Sequence, residues 1–414
     1  MNERYRAADF REDDEMPEMG GAWWQSDRDP PRSPPPPPIK AKPFVWRDPK
    51  TFPRRQWLYG HHLIRRFLSC TVAPGGVGKS SLVLVEAVAM ATGRDLLGVQ
   101  VHQPLRVWVF NLEDPLEETE RRVIAICLHF GIDPAELDGR LFLNSGRDTS
   151  LVIASTTRSG TQIAQPVVDA LKAEILARKV DVVVIDPLVK AHRVPENDNG
   201  AIDMVCTTIA GIADETGCAF DLVHHVRKTN GAEVTVEDGR GAVALLSASR
   251  SARALNRMTK DEAEKAGVED PKLFFRAETG KANLAPADKA DWFKLVPVSL
   301  GNGDSDLYDN SDRVAVAETW TWPDALADLT VADLLAVQKK IAAGRYRENS
   351  QAREWVGRPI AEVLRLDLNS RAHQAKVKSL LKTWMGSGAL VTVEGTDEKR
   401  EKRTFVEVGQ WATN

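Results

Sequence analysis

The stretch Ala73-Pro74-Gly75-Gly76-Val77-Gly78-Lys79-Ser80 follows an apolar run and precedes a segment with helical spacing. A phosphate-binding loop (P-loop) needs this context, with a strand before it and a helix after it. Small residues let backbone N–H groups close around phosphate oxygens, and the start of a helix favours negative charge. The pattern predicts an ATP-binding site. Its expected cofactor-binding residues are Pro74, Gly75, Gly76, Val77, Gly78, Lys79, Ser80 and Ser81.

Two residues at the end of this loop have distinct expected roles. Lys79 would reach the β and γ phosphates, and the hydroxyl of Ser80 would ligate Mg²⁺. Ala73 stands where the usual loop pattern has glycine, and Gly75 and Gly76 inside the loop could supply the missing flexibility. The alternative interpretation is an ordinary glycine-rich turn before a helix, and the Lys-Ser ending argues against it.

Around this loop, from residue 57 to residue 300, short β-rich runs alternate with segments that carry helical spacing. This alternation is typical of a mainly parallel sheet with crossover helices, so we expect an α/β fold. The predicted strands are 66–72, 106–112, 140–144, 181–185, 219–224, 273–277 and 292–298. The predicted helices are 81–92, 115–130, 165–178 and 203–216.

The first 45 residues differ from this pattern. They are polar, include a proline run at 34–38, and lack an apolar period that could offset the entropy of ordering. We expect a disordered, Pro-rich tail over residues 1–45, followed by an ATPase domain over residues 46–312. The adjacent Trp23 and Trp24 in the tail are either a short docking motif or an incidental hydrophobic spot.

Residues 313–414 form a second module. Three stretches of helical spacing precede two strands at 389–393 and 404–408, which is the outline of an α+β winged-helix domain. Such a domain places its third helix in the major groove of duplex DNA. In that helix Arg371, Lys378 and Lys382 are the candidate DNA contacts, although winged helices also dock proteins. From residue 330 to 414 there are 15 Lys and Arg against 10 Asp and Glu, a balance of +5.

The composition excludes several classes of protein. No stretch approaches the roughly 20 apolar residues that cross a bilayer, and the acidic, polar start fits neither a signal nor a transit peptide. We therefore expect a cytoplasmic protein without membrane contact. The 4 cysteines are scattered among apolar residues, which argues against a disulfide framework or a zinc cluster. The net charge of −4 does not by itself indicate a nucleic-acid binder.

Two carboxylates follow apolar runs at the expected carboxyl edge of the sheet. Asp186 ends the run 182–185, where ligands of open α/β sheets gather, and is expected to hold Mg²⁺ directly or through water. A helix-capping aspartate is the alternative. Glu113 ends the run 107–112 and is the candidate catalytic base that orients or deprotonates water. We expect Asp114 to cap the next helix while Glu113 faces the nucleotide, although Glu113 could also be a surface charge.

The pair His224-His225 closes another predicted strand at the same edge. A histidine there can hydrogen-bond the γ phosphate and report its loss to the following loop. A zinc site is the alternative, but no third ligand stands at suitable spacing.

These motifs, in this order, resemble those of the RepA-type hexameric replicative helicases of plasmids, which belong to the RecA-like ATPases. The similarity spans about residues 57–295. Besides the P-loop, it is carried by Asn111-Leu112-Glu113-Asp114-Pro115, Val184-Ile185-Asp186, His224-His225, Arg240-Gly241, Arg250, Met258-Thr259, Glu262-Ala263, Gly267-Val268, Phe274-Phe275-Arg276, Lys281-Ala282-Asn283 and Asp291-Trp292-Phe293.

The resemblance implies catalytic roles for Lys79 and Glu113, and for His225 or His224 as the γ-phosphate sensor. It also implies that Arg250 is an arginine finger supplied to the neighbouring subunit of a ring, with Arg253 as a rival. A finger across an interface couples hydrolysis to subunit motion.

The resemblance further implies a homo-hexamer that holds single-stranded DNA in its channel. Lys228 and Arg240 lie in loops that would face this channel and could contact phosphates. Acidic residues in the same loops make ordinary solvated loops an alternative.

The expected function is therefore an ATP-dependent DNA helicase or translocase in the replication of a plasmid or other mobile element. The alternative is an ATP-gated DNA-binding regulator or loader that does not unwind DNA. A recombinase-like filament is a third possibility.

Overall fold

The structure, a computed structural model, describes residues 39–226, 233–238, 242–284, 290–304 and 310–413. The chain divides into two compact units, Met1–Arg54 and Arg55–Asn414. In the described part of the first unit, a short 3₁₀ helix spans Pro49–Thr51, and the Asp48 carboxylate caps it by accepting from the Lys50 N–H at 2.9 Å. Trp23 and Trp24 lie outside the described residues, as does the predicted tail up to residue 38.

The second unit combines strands and helices throughout. Its strands are β1 (Trp57–Tyr59), β2 (Leu63–Ile64), β3 (Leu68–Pro74), β4 (Val107–Asn111), β5 (Leu141–Ser145), β6 (Ala154–Thr157), β7 (Gly160–Ile163), β8 (Val182–Asp186), β9 (His192–Arg193), β10 (Ala219–Val226), β11 (Ser249–Arg257), β12 (Phe274–Ala282), β13 (Asp291–Ser299), β14 (Arg313–Thr319), β15 (Tyr346–Arg347), β16 (Leu390–Thr396) and β17 (Lys402–Val408). Its helices are α1 (Lys79–Thr92), α2 (Leu116–Phe130), α3 (Gln165–Arg178), α4 (Asn199–Thr216), α5 (Ala242–Ala248), α6 (Lys260–Ala266), α7 (Val331–Ala342), α8 (Gly357–Val363) and α9 (Arg371–Gly386).

A nine-stranded sheet organises the larger part of this unit, with the strand order β14-β13-β12-β11-β3-β10-β8-β4-β5 among the described residues. The strands from β11 to β5 pair in parallel. The strands from β12 to β14 join antiparallel at one edge. The fold is therefore α/β with a mainly parallel central sheet, as the alternation in the sequence predicts.

The sheet is buried on both faces, and its central strands are mostly apolar. In β8, Val183 and Ile185 enter one core, which α3, α4 and α5 cover, while Val182 and Val184 enter the other core, under α1 and α2. Successive side chains of a strand point to opposite faces, so a continuous apolar run suits a strand covered on both sides.

The predicted strands all occur, with boundaries shifted by a few residues, but two differences from the prediction are informative. β12 and β13 are antiparallel rather than parallel. β14 belongs to the nine-stranded sheet, where it pairs with β13 from Phe293↔Thr319 to Ser299↔Arg313. The domain boundary predicted between residues 312 and 313 therefore cuts the sheet, and we propose that the ATPase domain extends through Thr319.

The C-terminal part contains the three expected helices followed by two strands. α7, α8 and α9 share a hydrophobic core with β16 and β17, and the short β15 adds a third strand in the order β15-β17-β16. α9 also packs against α6, which precedes β12 of the nine-stranded sheet. Within the described residues, none of the helices is long and apolar enough to cross a membrane.

Candidate nucleotide-binding site

The phosphate-binding loop connects the end of β3 to the start of α1. Gly76 and Gly78 have φ angles of 73° and 109°, which lie in the left-handed region that favours glycine. A side chain on Gly78 would also come within 3.0 Å of the Phe275 ring. Ala73, which replaces the usual first glycine, is buried inside β3 and extended, so its position does not require glycine.

The start of α1 offers an anion site. Gly78 is its N-cap residue and supplies no side-chain acceptor to the first-turn N–H groups. Such N–H groups, together with the positive end of the helix dipole, favour phosphate oxygens. This geometry suits a triphosphate chain.

Three side chains meet beside this loop. The Lys79 ammonium pairs with the Asp186 carboxylate, and the Ser80 hydroxyl donates to Asp186 Oδ2 at 2.8 Å. Lys79 and Asp186 are both buried. A hydroxyl beside a carboxylate is an oxygen donor set that suits Mg²⁺, and the ammonium beside it suits a phosphate oxygen. The two residues predicted as metal ligands thus lie together.

Ser81, the last residue of the predicted set, uses its hydroxyl elsewhere. Its Oγ donates to the carbonyl of Ala315 at 2.8 Å and accepts from the N–H of Ala317 at 2.9 Å. The hydroxyl thus joins α1 to the edge strand β14, so a phosphate could use only the backbone N–H of Ser81.

Glu113 follows β4 in a loop that is fixed from several sides. The Asn111 side chain accepts from the N–H groups of Glu113 and Asp114 at 3.0 and 2.9 Å, and Arg147 donates to the carbonyl of Glu113 at 3.0 Å. The expected cap is wrong, because Pro115 is the N-cap residue of α2 and the Asp114 carboxylate pairs with Arg122 at 2.8 Å.

The two histidines at the end of β10 face opposite sides of the sheet, because consecutive residues of a strand alternate. His225 Nε2 lies 3.7 Å from Glu113 Oε2, whereas the buried His224 points to the other face. Burial and the nearby Lys79 ammonium lower the pKa of His225, although Glu113 opposes this effect. Of the two candidates for a γ-phosphate sensor, only His225 is placed beside Glu113.

The lowered pKa of His225 predicts a specific pH dependence of stability. The unfolded chain binds a proton near the ordinary histidine pKa of about 6.5, before folded His225 does, so the wild type loses stability as the pH falls through that value. His225→Asn removes this contribution. We expect the variant to lose less stability than the wild type between pH 7.5 and pH 5.5, measured by urea unfolding. Equal losses of unfolding free energy in the wild type and the variant would refute the lowered pKa of His225.

Three arginines of β11 occupy three different environments. Arg250 lies at the start of the strand, with its guanidinium 5.5 Å from the centre of the Phe67 ring. Ser249 pairs with Leu68, six residues before Pro74, so this edge of the sheet lies about 20 Å from the P-loop. Within one chain, Arg250 therefore does not join the nucleotide-binding site.

Arg253, the rival candidate for the finger, is buried. Its guanidinium makes a bidentate pair with Glu86 of α1, with both distances 2.6 Å, and its Nε donates to Thr71 at 3.0 Å. Burial alone would lower the pKa of Arg253, but Glu86 outweighs it and raises the pKa above its usual value. This guanidinium ties α1 to the sheet and is not available to a neighbouring subunit.

The Arg253–Glu86 pair predicts a large effect on stability. Arg253→Met leaves Glu86 and the nearby Asp221 as buried carboxylates without this cation, which costs about 3–5 kcal/mol. Arg178→Ala is the matched control, because Arg178 pairs with Glu174 on the surface of α3 and such pairs contribute about 0–1 kcal/mol. Urea unfolding measures both, and similar small losses would contradict the buried-pair account.

The expected nucleic-acid contacts have different outcomes. Lys228 and Arg240 lie outside the described residues. Lys378 pairs with Glu264 of α6 at 2.7 Å, and Arg371 reaches the carbonyl of Glu269 at 3.5 Å. Lys382 is exposed. In this arrangement the face of α9 that carries Arg371 and Lys378 contacts α6 and the segment after it.

Comparison with known proteins finds a family similarity for part of the chain. Residues 34–231 match the family model described as AAA domain. This stretch, just under half of the chain, contains the P-loop, Glu113, Asp186 and both histidines, and it ends before β11. The match is therefore a similarity of this stretch to AAA domains.

Among solved structures, the chain is similar to one described as the crystal structure of the RadB recombinase. The two share 14% sequence identity with a TM-score of 0.38, over 56% of this chain and 88% of that one.

Proposed function

We propose that the protein is an ATP-dependent DNA helicase or translocase of the RepA type. The observation that carries this proposal is the convergence of Lys79, Ser80, Asp186, Glu113 and His225 at one edge of the sheet. They come from four elements that are distant in sequence, and together they supply the parts that phosphoryl transfer to water requires.

Each side chain has a proposed role in hydrolysis. Lys79 exchanges its partner Asp186 for phosphate oxygens, and Ser80 with Asp186 would hold Mg²⁺. The ion, when bound, neutralises charge on the phosphates. Glu113 orients and deprotonates the attacking water. His225, neutral because of its lowered pKa, can hydrogen-bond the γ phosphate beside Glu113.

The position of Arg250 supports a ring. Because it lies at the opposite edge of the sheet from the P-loop, it can reach a nucleotide only on another copy of the chain. We propose a homo-hexamer in which Arg250 stabilises the transferred phosphoryl group of the neighbour and single-stranded DNA passes through the channel.

Strand displacement on a forked DNA duplex tests this function. We expect Mg²⁺- and ATP-dependent unwinding by the wild type, with none by Lys79→Ala or Arg250→Ala. Unwinding that both substitutions leave unaffected would rule out the proposed motor.

The packing of α9 favours a second candidate, an ATP-gated DNA-binding regulator or loader. Arg371 and Lys378, which would contact duplex DNA, instead contact α6 and the segment after it. A regulator would release this face in one nucleotide state. The discriminating measurement is ATP hydrolysis with and without single-stranded DNA, because strong stimulation favours the motor and its absence favours the regulator.

A further inference from the structure

Arg257, at the end of β11, contacts the P-loop of its own chain. Its Nη2 donates to the backbone carbonyl of Gly76. A side chain on Gly76 would lie 3.1 Å from the same nitrogen, so the guanidinium packs directly against the loop. Arg257 itself is exposed, and the proposed hydrolysis mechanism gives it no part.

The direction of this hydrogen bond bears on nucleotide binding. The peptide between Gly76 and Val77 is trans, so its C=O and N–H groups point in opposite directions. The guanidinium fixes the direction of the Gly76 carbonyl by donating to it. Because the peptide is trans, the same contact also fixes the direction of the Val77 N–H, which is a donor of the kind that a P-loop offers to phosphates.

We propose that Arg257 is a positioning residue for nucleotide binding, which fixes the Gly76–Val77 peptide so that its N–H is oriented toward the phosphates before the nucleotide arrives. The φ of 73° at Gly76 makes this tip of the loop a position that glycine alone adopts readily. Glycine also has the greatest backbone freedom of any residue. A hydrogen bond from outside the loop therefore restricts the backbone more at Gly76 than it would at another residue type. Orienting the loop in advance lowers the entropy lost on binding.

The position of Arg257 is itself well fixed. β11 pairs with β12 on one side, including Arg257 with Phe275, and with β3 on the other side up to Ala254 and Val72. Because β3 also leads into the P-loop, the guanidinium and the loop are attached to neighbouring strands of one rigid sheet.

This inference rests on the proposed nucleotide-binding site. The test distinguishes failure of the Arg257 role from failure of the proposed function. Binding of ADP, ATP and AMP to the full-length chain would be measured by calorimetry for the wild type, Arg257→Ala, Arg257→Lys and the control Arg178→Ala. Arg178 is an exposed arginine of α3 with one carboxylate partner. Thermal unfolding would establish that the variants remain folded.

We expect Arg257→Ala to weaken ADP and ATP binding by about tenfold, the equivalent of one charge-assisted hydrogen bond. Arg257→Lys should recover part of the loss, because its ammonium can still donate to the Gly76 carbonyl. AMP binding and Arg178→Ala should be unchanged. In turnover, KM for ATP should rise while kcat changes by less than about threefold, because the guanidinium acts on the loop and not on the reacting phosphate.

Several results would overturn this role. Wild-type affinity of Arg257→Ala for ADP would refute the positioning role and leave the proposed function standing. A loss confined to ATP, or confined to kcat, would mean that Arg257 contacts the γ phosphate instead. A wild-type chain that binds no nucleotide would refute the proposed function itself.

Discussion

Lys79→Ala should reduce ATP hydrolysis by about 1,000-fold, the upper range for loss of one electrostatic contact to the transition state. The ammonium lies beside Ser80 and Asp186 at the start of α1, where the phosphates are expected. Its removal takes a positive charge away from the phosphates, where negative charge accumulates in the transition state. Phosphate release at saturating Mg²⁺ and ATP measures the effect.

The control for this experiment is Lys172→Ala. Lys172 is a lysine of α3 that pairs with Glu215 at 2.7 Å, away from the P-loop, and its loss should leave the rate unchanged. A rate for Lys79→Ala within a few-fold of the wild type would mean that hydrolysis, if any, occurs at another site.

Glu113→Gln should separate binding from hydrolysis. Glutamine keeps the size of the side chain but cannot accept a proton, so we expect the hydrolysis rate to fall by about 100- to 10,000-fold. Nucleotide affinity should change by less than about threefold, because Asn111 and Arg147 hold the Glu113 backbone and not its carboxylate. Single-turnover hydrolysis together with nucleotide titration measures both quantities.

Asp114→Asn is the matched control for Glu113→Gln. It alters the adjacent carboxylate, whose partner is Arg122 on α2. Its hydrolysis rate should stay within a few-fold of the wild type. If both variants hydrolyse ATP at the wild-type rate, Glu113 is a surface charge and another group activates water.

The sequence was most informative about features that depend on strand ends. Parallel strands place their carboxyl ends at one edge of a sheet, and the apolar runs before Asp186 and Glu113 identify two such ends. The P-loop motif fixes a third. Their proximity in the structure follows from these patterns and needs no further information.

Other features depend on tertiary contacts that periodicity does not reveal. The predicted strands do not include β11, because the buried polar residues Arg253 and Asn256 interrupt its apolar pattern. The choice between His224 and His225 depends on which face of β10 meets α1. Arg257 carried no signal in the sequence, because its partner is a backbone carbonyl of the P-loop.

The C-terminal module shows the same limit. The spacing of apolar residues in α9 predicts that Lys378 faces solvent. In the structure Lys378 pairs with Glu264 of α6, more than 100 residues earlier in the chain. Gly267 brings the two segments into close contact, because a side chain there would lie 2.4 Å from Ala372 Cα. Such packing between segments distant in sequence cannot be predicted from either helix alone.

Steady-state ATP hydrolysis by the wild-type chain, titrated with single-stranded DNA in the presence of Mg²⁺, tests the central claim most directly. The account predicts turnover that requires Mg²⁺ and rises several-fold, with saturation, as DNA is added. Turnover that DNA does not raise would contradict the motor and favour the regulator, and absence of ATP turnover both with and without DNA would contradict both.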